Sequence, residues 1–213
     1  MMKSTQLLSS MVVGLLSLVI LGCSGPTADE SSMPDASPVE APAVASQPPA
    51  DPASSEQGQA AAEVALADFA GVMESIQQHA GKVVVLDIWS RSCIPCMREF
   101  PHLVDLSQQH ADEVVCLSLN VDYLGLKSKP AESYVPDVLE FLNQQRASTL
   151  VNFVSSEPDE IVFTKAEIDS IPAILVFDAA GELVHRFTEG NAGGDGLTYA
   201  EDVVPAIEKL LAE

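Results

Sequence analysis

The feature that most constrains this chain is a pair of cysteines, Cys93 and Cys96, separated by two residues. The pair follows an apolar run, Val83 to Ile88, and precedes a segment whose apolar residues have helical spacing. If Cys93 caps that helix, its sulfur faces unpaired amide N–H groups and the positive end of the helix dipole, which favours the thiolate. Cys96 then lies one turn further on, close enough for a disulfide with Cys93. Pro95 suits the first helical turn, where its missing N–H would have had no partner.

The spacing of the cysteines leaves three chemical uses open: half of a zinc site, a redox pair or a structural disulfide. Zinc would require two more ligands at comparable spacing. The chain has no second Cys-x-x-Cys, and the remaining candidate ligands are Cys116 and four scattered histidines. The sequence therefore favours a redox pair and no bound metal. Cys116 stands inside an apolar, strand-like segment, which indicates a buried and inert thiol.

Residues 1–22 have the pattern of an export signal. Lys3 is followed by an uncharged apolar run from Met11 to Leu21, which is too short for a comfortable membrane span. The run ends at Gly22 and Cys23, an ending that resembles the lipobox of bacterial lipoproteins, in which the cysteine is acylated. We expect Cys23 to carry a lipid and to tether the protein to a membrane. The alternative is an ordinary export signal with an incidental cysteine.

Residues 23–59 predict a disordered tether. After Cys23 this segment is rich in Pro, Ala, Ser, Asp and Glu and has no lysine, arginine or aromatic residue, so it cannot bury enough apolar surface to order itself. The folded domain is predicted to occupy residues 60–213. The whole chain has a formal charge of −21, from 31 acidic and 10 basic residues, which makes nucleic acid a poor partner.

The spacing of apolar residues in the domain predicts alternating helices and strands. The expected elements are a helix at Phe69–Ile76 capped by Asp68, a strand at Lys82–Ile88, a helix at Met97–Gln109, a strand at Val114–Val121, a helix opening at Pro136, a strand at Leu150–Val154, a strand at Ile171–Phe177, its hairpin partner at Leu183–Thr188 and a final helix at Tyr199–Leu211. Pro101 falls inside the helix that follows the cysteines and should bend it.

This order of elements resembles the thioredoxin fold, and several positions match residue by residue. Asp87 stands six residues before Cys93, as the buried acid of thioredoxins stands before their first cysteine. Pro101 stands eight residues after Cys93, where those proteins kink the active-site helix. The segment Ser170–Ala173, with Pro172 at its third position, is similar to the segment that carries their cis-proline. The resemblance implies an α/β fold with a central mixed β-sheet flanked by helices.

A closer resemblance is to the extracytoplasmic, membrane-tethered TlpA/ResA-like thiol-disulfide oxidoreductases. The residues that look like that family's signature are Trp89, Cys93, Pro95, Cys96, Arg98, Glu99 and Pro101. Asn120 to Asp122 looks like the end of the family's second core strand. The helix and strand from Pro136 to Val154 resemble its central helix–strand insertion, which we place at about residues 123–156.

The resemblance implies thiol-disulfide exchange without a cofactor. The Cys93 thiolate attacks a substrate disulfide, and Cys96 resolves the mixed disulfide. Asp87, if buried behind Cys96, is a candidate base for the second thiol, with desolvation raising its pKa. The alternative is that Asp87 bonds locally at a strand end without a proton role. Pro172 is expected to lie against the cysteine pair and, together with Ile171 and Trp89, to contact the substrate.

The partners implied by the resemblance are protein thiols and disulfides of the cell envelope, together with a membrane electron donor that re-reduces the cysteines. We expect a monomer, lipid-anchored on the extracytoplasmic side. Strong oxidants of this fold tend to have histidine between their cysteines, whereas this chain has Ile94 and Pro95. The resemblance therefore favours a reductant of exported proteins.

The sequence departs from the family at two positions. Ser92 stands where the family usually has a large residue directly before the first cysteine, and Ser118 stands where cytoplasmic thioredoxins carry a lysine near the buried acid. Two other classes of function stay open. The first is a copper metallochaperone that uses the cysteine pair and His185. The second is a binding module that keeps the fold without the activity.

Overall fold

The computed structural model describes residues 60–191 and 196–212. The predicted export signal at 1–22, the lipid site at Cys23 and the tether at 23–59 lie outside the described residues. In the described part of the chain, none of the helices has the length and apolar character needed to cross a membrane.

The domain alternates strands and helices, as the apolar spacing predicts. The strands are β1 (Ala65–Ala67), β2 (Val83–Trp89), β3 (Val114–Asn120), β4 (Val151–Ser155), β5 (Ala173–Phe177) and β6 (Leu183–Thr188). The α-helices are α1 (Phe69–Gln78), α2 (Ile94–Gln109), α3 (Val135–Gln144), α4 (Asp159–Ala166) and α5 (Val204–Leu211). Short 3₁₀ segments lie at Ala131–Tyr134 and Glu189–Asn191, and a π-helical turn at Tyr199–Val203 leads into α5.

The six strands form one mixed sheet in the order β1-β4-β3-β2-β5-β6. The first four strands in that order run parallel, and β5 and β6 are antiparallel to their neighbours. The helix and strand predicted for the insertion are confirmed as α3 and β4, and β4 lies between β1 and β3. The fold is therefore the predicted α/β arrangement, with a central mixed sheet and helices on its faces.

Strand β2 is central, and all seven of its residues are buried. Val85 and Trp89 pack into one apolar cluster with residues of α2, α3 and α5. Leu86 and Ile88 point the other way, into a second cluster with residues of α1 and α4. This covering of both faces explains why the strand reads as a continuous apolar run, interrupted only by Asp87.

Two elements were not predicted. Strand β1 has three residues that are at least partly exposed, too few for an alternating pattern. Helix α4 buries only Val162 and Ala166, so its sequence shows no continuous apolar stripe. A smaller difference concerns β5, which begins at Ala173 and not at Ile171. Pro172 has no N–H to donate to a sheet, which fits its position just outside the strand.

Candidate active site at the cysteine loop

Cys93 and Cys96 form a disulfide, with an S–S distance of 2.02 Å and Cα atoms 5.3 Å apart. Cys93 is the N-cap of α2, and its Sγ accepts a hydrogen bond from the backbone N–H of Cys96 at 3.2 Å. The predicted cap and the predicted place of Pro95 in the first turn are both confirmed. Cys93 is partly exposed, whereas Cys96 is only 2% exposed. Partners in solution can therefore reach the first sulfur and not the second.

The peptide bond between Ile171 and Pro172 is cis, as the resemblance implies. Ala173, the next residue, pairs with Ile88 near the end of β2. Because the cysteine loop leaves the sheet at that same end of β2, the sheet register brings the proline and the cysteine pair to one edge of the fold. Pro172 is buried and Ile171 is half-buried.

The loop between β2 and the cysteines is held by hydrogen bonds to Asp122, which follows β3. The Ser90 hydroxyl donates to Asp122 Oδ1 at 2.5 Å, and the backbone N–H of Arg91 donates to the same oxygen at 2.9 Å. The hydroxyls of Ser90 and Ser92 are 2.8 Å apart. Arg91 forms an ion pair with Asp137 at 2.7 Å, and this contact lowers the pKa of the Asp137 carboxyl. The guanidinium of Arg91 is therefore engaged by a carboxylate.

Asp87 is buried in the face of the sheet that also packs against α2. Its side chain is 3% exposed, and this burial raises its pKa from 3.8 to about 7. The hydroxyl of Tyr199 donates to Asp87 Oδ2 at 2.7 Å and lowers the pKa, while the nearby carboxyl of Glu99 raises it. Among the described residues, Oδ1 has no hydrogen-bond partner. The expected local bond at a strand end is not found, because the hydrogen-bond partner of Asp87 is 112 positions away; the proton role of Asp87 stays a prediction.

Ser118 lies beside Asp87 in the sheet register, at the place noted for a lysine in cytoplasmic thioredoxins. Its hydroxyl donates to Asn152 Oδ1 at 2.8 Å. The serine therefore directs its hydrogen bond away from Asp87, and the hydroxyl of Tyr199 is the donor that Asp87 receives.

The prediction that Trp89 contacts the substrate is wrong in this structure. The indole is fully buried, with its ring centroid 4.9 Å from that of Phe100 and 4.8 Å from that of Phe141. It has no exposed surface to offer a partner. Its ring packs the end of β2 against α2 and α3, and so supports the cysteine loop that follows β2.

An open cleft of about 710 Å³ adjoins the cysteine loop. The residues that line it include Ser92, Asp122, Tyr134 and Ile171. Ile171 was predicted to contact the substrate, whereas neither the cleft nor a place for Asp122 in the site was predicted. The signal available was the position of Asp122 two residues after a buried strand, beside the strand that leads to the cysteines.

Cys116 is a free, buried thiol, as predicted. Burial and the neighbouring Asp87 raise its pKa well above the ordinary value, so it stays protonated. His185 lies on β6 and stacks on Phe187 at a centroid distance of 5.5 Å. Within residues 60–191 and 196–212, no group of three or more His, Cys, Asp or Glu side chains is placed to hold a metal ion.

Residues 81–183 match a family model described as thioredoxin-like. The chain is 32% identical over 65 residues to the thioredoxin-like protein YneN of Bacillus subtilis (strain 168), a match that spans 30% of this chain and 38% of the relative. The segment matched by the family model contains Asp87, Cys93, Cys96 and Pro172, whereas Tyr199 lies beyond its end.

Two solved structures are also similar. The exposed lipoprotein thioredoxin Etrx1 of Streptococcus pneumoniae strain TIGR4 superposes with a TM-score of 0.48 at 19% identity, covering 63% of this chain and 90% of that one. The thioredoxin domain of the thiol-disulfide oxidoreductase BVU-2223 from Bacteroides vulgatus superposes with a TM-score of 0.44 at 20% identity, covering 62% of this chain and 81% of that one.

Proposed function

We propose that the domain whose residues 81–183 match a thioredoxin-like family model is a thiol-disulfide oxidoreductase that reduces disulfides of exported proteins through Cys93 and Cys96. Its place of action is the cell envelope, on the extracytoplasmic side of a membrane to which the acylated Cys23 tethers it. A membrane electron donor returns the cysteine pair to the dithiol. The substrates are protein disulfides, and the chemistry requires no cofactor or metal.

The observation that carries this proposal is the unequal exposure of the two sulfurs. Cys93 is partly exposed at the N-terminus of α2, where amide N–H groups and the helix dipole favour its thiolate. Cys96 is 2% exposed, one turn further into the helix. This difference supports the proposed roles, in which Cys93 attacks the partner and Cys96 resolves the mixed disulfide.

The exchange proceeds in two displacements from the reduced protein. In the first, the Cys93 thiolate attacks one sulfur of the substrate disulfide, which breaks the substrate S–S bond and forms a mixed disulfide. In the second, Cys96 loses its proton and attacks Cys93 Sγ, which releases the second substrate sulfur and forms the Cys93–Cys96 disulfide. Two electrons pass to the substrate, whose two sulfurs each take a proton.

The direction of exchange follows from the residues between the cysteines. Ile94 and Pro95 supply no imidazolium to stabilise the reduced thiolate, which is the property that makes a thioredoxin-fold protein a strong oxidant. We expect the reduction potential, measured by equilibration with a glutathione or dithiothreitol couple, to lie well below about −120 mV. A value near that strong-oxidant figure would reject the assignment as a reductant.

Trapping of partners tests the proposal directly. In cells that produce the protein, Cys96→Ser leaves the mixed disulfide unresolved, so partners should remain covalently attached until a reductant is added. The matched control is Cys93→Ser, which removes the attacking sulfur and should capture nothing. The purified wild type should also reduce insulin disulfides in the presence of dithiothreitol, and Cys93→Ser should not. Absence of insulin reduction by the wild type would contradict the proposed activity and favour the binding-module alternative.

A further inference from the structure

Asp87, the buried acid of β2, accepts a hydrogen bond from Tyr199, near the C-terminal end of the domain. Tyr199 is the first residue of the π-helical turn that precedes α5, and it is 1% exposed. Its hydroxyl donates to Asp87 Oδ2 at 2.7 Å, across a sequence separation of 112 residues. The other carboxylate oxygen, Oδ1, is buried and has no hydrogen-bond partner among the described residues. A buried, unpaired carboxylate oxygen is costly and calls for a functional explanation.

Tyr199 is itself fixed to the helix that carries the cysteines. Its backbone N–H donates to Glu99 Oε2 at 3.2 Å, and Glu99 lies on α2, three residues after Cys96. The turn is closed on its N-terminal side by Thr198, whose hydroxyl accepts from the N–H of Glu201 at 3.2 Å. Tyr199 thus joins α2 to β2 through two hydrogen bonds, one from its backbone and one from its side chain.

We propose that Tyr199 is a positioning residue for resolution of the mixed disulfide: its hydroxyl holds Asp87 Oδ2, and so leaves Oδ1 to accept the proton of Cys96. This inference rests on the proposed function, since it concerns the second displacement of the same exchange. Asp87 lies between Val85 and Trp89 on the same face of β2, by the alternation of a strand, and the apolar cluster on that face includes Trp89, Tyr199 and Cys96.

In the mixed disulfide, the Cys96 S–H gives its proton to Asp87 Oδ1, and the resulting thiolate attacks Cys93 Sγ. The Cys93–Cys96 bond forms, the bond from Cys93 to the substrate sulfur breaks, and the leaving substrate thiolate takes a proton. Tyr199 keeps its own proton throughout, because burial and the adjacent Asp87 raise the pKa of its hydroxyl well above 10.

Three groups interact with Asp87, from three different elements. The hydroxyl of Tyr199, from the π-helical turn, lowers the pKa of Asp87 by stabilising its carboxylate, whereas the carboxyl of Glu99, from α2, raises it. Cys96, also on α2, belongs to the same apolar cluster as Tyr199. Cys116, from β3, is kept as a neutral thiol by burial and by Asp87. Tyr199 and Glu99 therefore shift the ionisation of Asp87 in opposite directions, which provides a signed test.

The experiment measures how fast the mixed disulfide is resolved as a function of pH. The full-length chain carrying Cys23→Ser is reduced and mixed with oxidised glutathione. Acid quenching and mass spectrometry then separate the glutathione adduct of Cys93 from the Cys93–Cys96 disulfide. Trp89, the single tryptophan of the chain, reports on the same change by fluorescence. The resolution rate should rise with pH through the ionisation of Asp87.

Tyr199→Phe keeps the ring and removes the hydroxyl that donates to Asp87. The rising limb of the pH–rate profile should therefore shift to higher pH by about one unit, which corresponds to the loss of a hydrogen bond to a charged group. Glu99→Gln keeps an acceptor for the Tyr199 N–H and removes the charge, so the rising limb should shift to lower pH. Tyr123→Phe removes a hydroxyl elsewhere and should leave the limb in place. In an Asp87→Asn background, Tyr199→Phe should no longer move the profile.

A Tyr199→Phe profile that superimposes on the wild type would overturn the inference, even if the wild type exchanges normally. So would a profile that still moves in the Asp87→Asn background, because Tyr199 would then act through another group. If Tyr199→Phe does not fold, a Glu99→Gln profile that stays in place or moves up would also overturn it. Failure of the proposed function would give a different result, because the wild type would then form no glutathione adduct at Cys93.

Discussion

Replacing Asp87 by asparagine should make the oxidised domain more stable relative to the wild type as the pH rises. Burial raises the pKa of Asp87 from 3.8 to about 7 in the folded protein. Between these two values the folded state holds a proton that the unfolded chain has released, so the equilibrium shifts toward unfolding as pH increases. The penalty is absent below pH 3.8, grows up to about pH 7 and is constant above it. Asparagine does not ionise and does not incur it.

The size of this effect follows from the difference of about three units between the two pKa values. At about 1.4 kcal/mol per unit, the charged form of Asp87 costs the folded state about 4 kcal/mol above pH 7. About pH 5 is only a little over one unit above the pKa of the unfolded state, so the cost to the folded state there is about 1.6 kcal/mol. The stability difference between Asp87→Asn and the wild type should therefore change by about 3 kcal/mol, in favour of the variant, between about pH 5 and pH 9. Any cost of burying the asparagine N–H₂ is the same at both values and cancels.

Urea unfolding measures the free energies, with the Cys93–Cys96 disulfide intact in both proteins. The comparison also cancels the titrating groups that do not interact with Asp87, since the two proteins share them. Asp105→Asn is the matched control, because it removes an exposed carboxylate from α2 and should change stability by less than about 0.5 kcal/mol at either pH. If the free energies of Asp87→Asn and the wild type stay parallel from about pH 5 to pH 9, the view of Asp87 as a buried acid that ionises near neutrality is refuted.

Two further substitutions separate packing from surface charge at the same loop. Trp89→Ala should cost about 3–5 kcal/mol in urea unfolding, because it empties a buried site between Phe100 and Phe141; a cost below about 1 kcal/mol would contradict the packing role. Arg91→Ala should cost less than about 1 kcal/mol and change the rate of insulin reduction less than about threefold, because its ion pair with Asp137 is solvent-exposed. A large loss of activity in Arg91→Ala would instead assign the guanidinium to the cysteine thiolate.

The cysteine loop was predictable because its determinants are local in sequence. A cap, a proline in the first turn and a second thiol one turn later are all set by spacing within a few residues of Cys93. Strand β2 was predictable for a related reason, since burial on both faces leaves a continuous β-branched run. The cis-proline at Pro172 needed more, because spacing alone does not distinguish it from a trans turn proline; the resemblance supplied it.

The contact between Tyr199 and Asp87 could not be predicted in the same way. Tyr199 was recognised only as part of a final amphipathic helix, and a separation of 112 residues leaves no local pattern that links it to the acid. The error at Trp89 has a similar origin. Its place at the end of an apolar strand indicates proximity to the cysteines, but only the packing of α2 and α3 shows that the ring points into the core.

The hydrogen bonds of the surrounding loop explain how a serine is accommodated at position 92. At the position where the resemblance implies a large side chain, this chain has a hydroxyl that joins Ser90 in a hydrogen-bonded group held by Asp122. The loop is therefore fixed by polar contacts to β3, and it does not require an apolar side chain next to the first cysteine. Apolar surface at the pair is instead provided by Ile94, which is 81% exposed between the two cysteines. For the protein substrate that we propose, we therefore expect a polar contact at Ser92 and an apolar contact at Ile94.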